Sequence, residues 1–210
     1  MQISVGIIGI GNVGSAHATA IYGGKISGMK LAAICDISPE RKEWARVNCP
    51  DAEFFETAEE FFDCAKIDTV IIATPHYFHT VYAIEGFKRG LNVLTEKPAG
   101  VRVSDVIKMN EAAEKSGKVF AIMWNQRTNP MYREVRRIIK EGILGKPQRL
   151  LWEATAWYRN QEYYDSGSWR ATWLGEGGGV LMNQAPHQLD LMQWIFGMPD
   201  YVRADCYVGK

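Results

Sequence analysis

An α/β chain whose first part is a doubly wound parallel sheet is the fold class that the sequence predicts, and three observations predict it. The apolar run Ile3–Ile8 is followed at once by Gly9-x-Gly11-x-x-Gly14 and a helix-compatible stretch from Ser15. Short apolar runs then alternate with amphipathic stretches of helical length as far as residue 122, the rhythm of βαβ units. Beyond that point the texture turns polar and aromatic.

Residues 3–8 are expected to be a strand and roughly 13–24 a helix, closing near Gly23-Gly24. In a dinucleotide-binding βαβ unit the first glycine permits a tight turn, the second lets the backbone approach a pyrophosphate, and the third lets helix and strand pack closely. Gly9, Gly11 and Gly14 stand in those places, and Asn12 and Val13 between them are assigned with them to the cofactor. The free N–H groups and partial positive charge of a helix N-terminus favour the pyrophosphate. Lys30–Cys35 is the second strand, and Asp36 follows it, 22 residues after Gly14. An acid there accepts hydrogen bonds from the adenosine ribose and repels a 2′-phosphate, which favours NAD. Arg41 is near enough in sequence to reach a phosphate, which keeps NADP as the alternative. The plainer reading has Asp36 capping the helix that starts at Ser38-Pro39-Glu40, although Ser38 is itself an adequate cap.

Glu53–Phe55 is a short strand, and Thr57-Ala58-Glu59-Glu60 resembles a capping box. Ile67–Ala73 is a buried strand running into Thr74-Pro75-His76, with His79 at the start of the next helix. Leu91–Thr95 is another strand and leads directly to Glu96-Lys97-Pro98. Ligands of open α/β sheets bind past the carboxyl ends of the strands, so these two junctions are expected to line the site. Ser104–Ser116 is a helix and Val119–Trp124 the sixth strand, with the first domain expected to span 1–122 and a second 123–210. In the second part, Pro130–Glu141 has an amphipathic, basic pattern, and Arg149–Tyr158 alternates like a strand with one face less covered. Asn160–Glu176 suits a loop over a site, Gly177-Gly178-Gly179 opens a helix of about 180–196, and Tyr201–Val208 reads as a further strand.

The composition, 47% hydrophobic and 23% charged, is ordinary for a globular protein. Twenty-four basic and twenty-four acidic residues cancel, so neither nucleic acid nor a membrane surface is expected as a partner. Cys35, Cys49, Cys64 and Cys206 lack metal-ligand spacing and read as reduced thiols of a cytoplasmic protein, and no metal site is expected. No basic leader precedes the first strand and no apolar run reaches membrane-spanning length.

Glu96-Lys97-Pro98, taken with Gly177-Gly178-Gly179-Val180-Leu181-Met182-Asn183-Gln184-Ala185-Pro186-His187-Gln188-Leu189-Asp190, resembles the Gfo/Idh/MocA oxidoreductases, the glucose–fructose oxidoreductase and inositol dehydrogenase family. Together with the glycine loop, Ala73-Thr74-Pro75 and Asn129-Pro130, the resemblance covers essentially the whole chain. It implies an N-terminal Rossmann domain and a C-terminal α/β domain with a mainly antiparallel sheet, commonly used to dimerise. It also implies hydride transfer between a nicotinamide and a sugar, polyol or related hydroxy compound. Carried over by position, the site residues are Lys97, Asn183 and His187; Asn183 stands where an aspartate is usual, and Ala185 where a glycine is usual. Members are usually longer, so the expectation is that the second sheet is incomplete here and that an open edge draws the chain into a homo-oligomer.

Those residue types suit the chemistry. Alcohol oxidation needs a proton acceptor as hydride leaves the carbon, and a histidine titrating near ~6.5 is suited to it. Lys97 polarises the oxygen and stabilises alkoxide character. Asn183 hydrogen-bonds but carries no charge, so it supports imidazolium less well than aspartate would. Thr74, Pro75, His79 and Glu96 are assigned with Lys97 to the cofactor, and His76, Trp169 and Arg170 to the substrate. The plainer alternatives are a surface Lys97, a core His187, packing roles for Trp169, Arg170 and Trp173, and Asp190 as an anchor. Two functional alternatives stand beside the dehydrogenase: an NAD-dependent glycoside hydrolase of the same superfamily, and a non-catalytic dinucleotide-binding module.

Overall fold

A computed structural model of the chain describes residues 2–155, 158–167, 169–205 and 207. By contact it divides into two compact units, Met1–Met123 with Arg159–Asn183, and Trp124–Tyr158 with Gln184–Lys210.

The first unit alternates strand and helix: β1 (Ile3–Ile8), α1 (Asn12–Tyr22), β2 (Met29–Cys35), α2 (Pro39–Asn48), β3 (Glu53–Phe55), α3 (Ala58–Cys64), β4 (Thr69–Ile72), α4 (Tyr77–Lys88), β5 (Asn92–Thr95), α5 (Val103–Ser116) and β6 (Phe120–Ile122). The six strands lie in the order β3-β2-β1-β4-β5-β6, and every neighbouring pair is parallel. This is the doubly wound order, with its direction reversing between β1 and β4. Alternation along β1 serves both faces. Val5 and Ile7 join Ala18 and Ile21 of α1 and Ala45 of α2, whereas Ile8 joins Phe61, Phe62 and Phe87 on the other side. Phe61 is fully buried and meets Phe55 and Phe62 edge-on, at centroid separations of 5.9 and 5.3 Å. A buried ring of that size is worth roughly 1.5–3 kcal/mol in transfer terms.

Local chemistry sets the helix starts. Thr57 Oγ1 accepts the Glu60 amide at 3.2 Å, which is the forward half of the expected capping box. At α2 the expectation needs correction: Pro39 takes the first turn, but Ser38 makes no side-chain cap bond. The Asp36 carboxylate accepts the Ser38 amide instead, at 2.9 Å. Two short helices, α6 (Pro130–Lys140) and α7 (Gln161–Asp165), are each capped by an asparagine side chain, Asn129 onto Met131 and Asn160 onto Tyr163. α7 and α8 (Val180–Asn183) belong to the first unit.

The second unit pairs α6 with α9 (Pro186–Phe196), after one turn of 3-10 helix at Asn125–Thr128. Arg136 donates to the Trp194 carbonyl at 3.1 Å and lies over its ring. Arg127 grips Asp190 with two bonds, of 2.8 and 2.5 Å. Asp190 is therefore an anchor, as the plainer reading held.

Two expectations are not met among the described residues. The 180–196 helix is two helices, α8 and α9, separated at Gln184 and Ala185. Pro186 opens the second helix, and a proline both lacks the N–H that would continue α8 and disfavours helical geometry in the residue before it. The mainly antiparallel sheet expected of the second domain is not confirmed among the described residues: residues 149–155 and 158 of the expected 149–158 strand, and 201–205 and 207 of the 201–208 strand, carry no strand. Residues 156–157, 206 and 208 of those strands lie outside the described residues. A strand exists only as a member of a ladder that satisfies its backbone groups, and among the described residues nothing pairs with these segments. No helix among the described residues is long and apolar enough to cross a membrane.

Candidate functional site

At the carboxyl edge of the sheet, the loop after β1 is held by its neighbours. Gly9 N–H donates to Cys35 C=O at 2.8 Å and Ile10 N–H to Asp36 Oδ2 at 2.8 Å. Gly9 adopts φ +85°, with backbone of Ala73 and Thr74 within 2.9 Å of where a side chain would start. At Gly14 a Cβ would lie 1.9 Å from the Gly9 carbonyl oxygen, so α1 and the loop touch through hydrogen alone. Gly11 is the opposite case, since a Cβ there meets nothing within 4 Å. The first intrahelical bond is Ser15 N–H to Gly11 C=O at 2.9 Å, which leaves the amides of Asn12 and Val13 as helix-terminal donors beside that open space. Two closed glycines and one open one are the arrangement that a pyrophosphate cradle requires.

Asp36 holds the loop and the start of α2 without exhausting its carboxylate. Its two oxygens each accept one backbone amide, from Ile10 and Ser38, and an ionised carboxylate has about four acceptor positions, so capacity for ribose hydroxyls is left over.

The junction after β5 is tied to α1 by His17, whose Nε2 lies 2.9 Å from Glu96 Oε1. Glu96 thus faces α1, and its second oxygen accepts the Lys97 amide at 3.3 Å. The Lys97–Pro98 peptide is cis. Lys97 is half-buried, and its Nζ donates to the Asn183 carbonyl at 2.8 Å and to Asn183 Oδ1 at 3.3 Å. Asn183 Nδ2 donates in turn to Glu176 Oε1 at 2.5 Å. Burial lowers the Lys97 pKa below the ordinary lysine value; the carboxylates of Glu96 and Glu176 oppose that shift, and Arg170 and Arg159 add to it.

His79, expected at the cofactor, and His76, expected at the substrate, are both buried. His79 is 1% exposed, with Nδ1 2.7 Å from the Pro98 carbonyl and Nε2 2.8 Å from the Thr74 carbonyl. Each ring nitrogen thus faces a backbone carbonyl, and burial lowers the pKa of the ring, so the neutral imidazole donates to one of the two; His79 packs between two loops, enclosed by the chain rather than turned toward a cofactor. Thr74 keeps a buried Oγ1 without a partner beside it, and Pro75 accepts the Phe78 amide at 3.0 Å. His76 is buried as well, and its Nδ1 donates to the Glu176 carbonyl at 2.9 Å. Burial pushes its pKa down to about 4, so the ring is neutral at neutral pH and Nε2 is the acceptor nitrogen.

The polar, aromatic segment packs where a cover was expected. Trp169 meets His76 edge-on at 5.2 Å, and Arg170 lies over the Tyr163 and Trp169 rings with Nη1 2.7 Å from Tyr163 Oη. Trp173 is 80% exposed, and its carbonyl accepts Tyr77 Oη at 3.0 Å and the Gly177 amide at 3.1 Å. His187 lies in the second unit, edge-on to Trp124 of the same unit at 5.8 Å.

The structure therefore brings Lys97, Asn183, His76, Trp169 and Arg170 into one unit. Two participants escaped the sequence reading: His17 and Glu176. The glutamate immediately before the glycine run was the available signal, because a charge that is 5% exposed needs partners. Among the described residues no group of three His, Cys, Asp or Glu is arranged to hold a metal.

Residues 3–123 match the model of an oxidoreductase family with an NAD-binding Rossmann fold, GFO/IDH/MocA, and residues 132–209 match the GFO/IDH/MocA C-terminal domain. The rhizopine catabolism protein MocA of Rhizobium meliloti is 30% identical over 93% of this chain and 58% of its own length. Inositol 2-dehydrogenase 4 of Saccharopolyspora erythraea is 31% identical over 70% of this chain and 43% of its own. Among solved structures, the WlbA dehydrogenase of Bordetella pertussis, in complex with NADH and UDP-GlcNAcA, superposes with a TM-score of 0.82 at 30% identity, over 94% of this chain and 59% of that one. The chain spans between 43% and 59% of the length of these relatives.

Proposed function

This chain belongs to the GFO/IDH/MocA oxidoreductase family, and from that premise we propose that it carries out NAD-dependent oxidation of a CH–OH group on a sugar, polyol or related hydroxy compound. The observation that carries the reading is Lys97. It is a half-buried ammonium at the carboxyl end of β5, on a loop tied through Glu96 and His17 to the helix that begins at the glycine cradle. A relative named as an inositol 2-dehydrogenase and a neighbour holding a UDP-linked sugar acid support the substrate class.

The fit to a dinucleotide rests on the open approach at Gly11, the terminal amides of Asn12 and Val13, and the spare acceptor capacity of Asp36. When bound, NAD supplies the hydride acceptor. Lys97 donates a hydrogen bond to the substrate oxygen and stabilises the alkoxide that develops there. Asn183 holds the Lys97 ammonium in place, and His187 accepts the hydroxyl proton. His76 Nε2, with Trp169 and Arg170, contacts the substrate's remaining hydroxyls and ring faces. We assign cofactor binding to residues 1–122 and substrate binding and self-association to 123–210. The strand-like segments 149–155 and 201–205, with Leu151 68% and Val202 81% exposed, support a mainly antiparallel sheet completed by a neighbouring strand and a homo-oligomer built on it. A cytoplasmic location agrees with the free thiols of Cys35, Cys49 and Cys64.

The test is NADH production on a panel of inositols, sugars and sugar acids. Turnover on at least one is the expected result; tight NADH binding with no turnover across the panel counts against it, and release of free sugar without net NADH identifies the glycosidase alternative. The same assay reads the cofactor choice. Replacing the carboxylate in Asp36→Ser removes the repulsion of a 2′-phosphate, and the ratio of NAD to NADP affinity is expected to fall by roughly tenfold or more. An unchanged ratio means that Asp36 serves only the loop.

A further inference from the structure

Asn183 stands where the family resemblance places an aspartate, yet a negative charge is still present. The Glu176 side chain is 5% exposed, and its Oε1 accepts Asn183 Nδ2 at 2.5 Å while Asn183 Oδ1 faces Lys97 Nζ at 3.3 Å. Both ends of the amide are thereby specified: its oxygen lies toward the ammonium and its nitrogen toward the carboxylate. The backbone holds the glutamate there. Gly177, at φ +77°, lets the chain pass so close to Val101 that a Cβ would lie 2.3 Å from its Cγ1, and the Glu176 carbonyl is held by His76.

We propose that Glu176 is a positioning residue for Lys97, supplying through the Asn183 amide the negative charge that Asn183 itself lacks. A buried carboxylate without an adjacent cation or hydrogen bonds is costly, and the relay Glu176–Asn183–Lys97 provides both. Its consequence is electrostatic. Lys97 is faced by Glu96 from its own loop, by Glu176, by Arg170 and Arg159 from the covering segment, by His76 just before α4 and by His79 within it. Desolvation and the two arginines favour the neutral amine; Glu96 and Glu176 are the groups that keep the ammonium charged. Removing Glu176 leaves Glu96 alone against them.

The inference rests on the assignment of Lys97 to the site, but its test does not require turnover. Competitive acetylation of the ligand-free protein by acetic anhydride, with the Lys97 peptide quantified by mass spectrometry across a pH series, reads the ionisation of Lys97 directly, because only the neutral amine reacts. Glu176→Gln removes a charge that raises the Lys97 pKa, so its labelling midpoint is expected to move to lower pH by about one unit. The double variant Glu176→Gln with Asn183→Asp exchanges carboxylate and amide within the same hydrogen bond and is expected to return the midpoint to near the wild-type value. Retained NADH fluorescence enhancement certifies the fold of each variant. A midpoint unmoved in Glu176→Gln, or a double variant no closer to wild type than the single one, overturns the proposal. If Glu176→Gln does not fold, a folded double variant with a near wild-type midpoint still supports it, and one with a lowered midpoint overturns it. A panel on which no substrate turns over would remove the dehydrogenase reading and leave these midpoints as they are.

Discussion

Lys97→Ala is expected to lower kcat by about 10²–10³-fold, the usual effect of removing one preorganised donor from a developing oxyanion, while leaving NADH affinity within a few-fold of the parent protein. The separation follows from where the side chain is held. Lys97 Nζ is bound to Asn183, on the side of the covering segment, and makes no bond to the glycine loop. Loop placement does not depend on the ammonium either, because Glu96 remains paired with His17 and His79 still bridges Pro98 and Thr74. Stopped-flow turnover together with fluorescence titration of NADH makes the distinction. Equal losses in both would mean that Lys97 holds cofactor rather than substrate. A loss in neither would return it to the surface lysine of the plainer reading. Lys97→Arg is not expected to rescue, since a planar guanidinium cannot occupy the point position that a carbonyl and an amide oxygen now share at 2.8 and 3.3 Å.

The second large effect is a contrast between two glycines of one motif. Gly14→Ala places a methyl group 1.9 Å from the Gly9 oxygen, backbone against backbone, with no flexible side chain to yield. α1 must lift from β1, and a stability loss of about 1–3 kcal/mol or more is expected in urea denaturation, with dinucleotide binding lost alongside. Gly11→Ala meets nothing within 4 Å, and the N-cap preference for glycine over alanine, up to about 1 kcal/mol, is offset by the reduced entropy of the unfolded chain, about 0.4–1 kcal/mol. Its denaturation midpoint is expected to stay near that of the parent protein, while NADH affinity falls at least tenfold because the methyl group occupies the approach that a pyrophosphate needs. If Gly11→Ala bound NADH normally, the loop would be a plain glycine-rich turn.

Much of the first unit was legible in the sequence because its signals are local. Six apolar runs alternate with helical stretches, and β1 and β4 are dense in β-branched residues, so the parallel sheet follows from period and length. Thr57 and Asn129 announce their helices within three residues. What misled were segments whose state depends on something elsewhere. Residues 149–155 alternate like a strand, but alternation does not provide a ladder. The apolar pattern from Val180 to Phe196 continues across a break that Pro186 imposes, because a hydrophobic stripe does not report the hydrogen bonds beneath it. His79 looked like a site residue on account of its place after β4, and it is instead buried between the Pro98 and Thr74 carbonyls.

The dinucleotide cradle was determined by sequence alone. Gly9, Gly11 and Gly14 act within one turn of chain: the stereochemistry of a strand, a tight turn and a helix demands glycine at the first and third, and the approach of a pyrophosphate demands it at the second. The electrostatic state of Lys97 was decided only by the tertiary structure. Its neighbours Glu176 and Asn183 come from chain about eighty residues away, and the sign and strength of a charge–charge interaction depend on distance and burial, which no spacing in the sequence encodes.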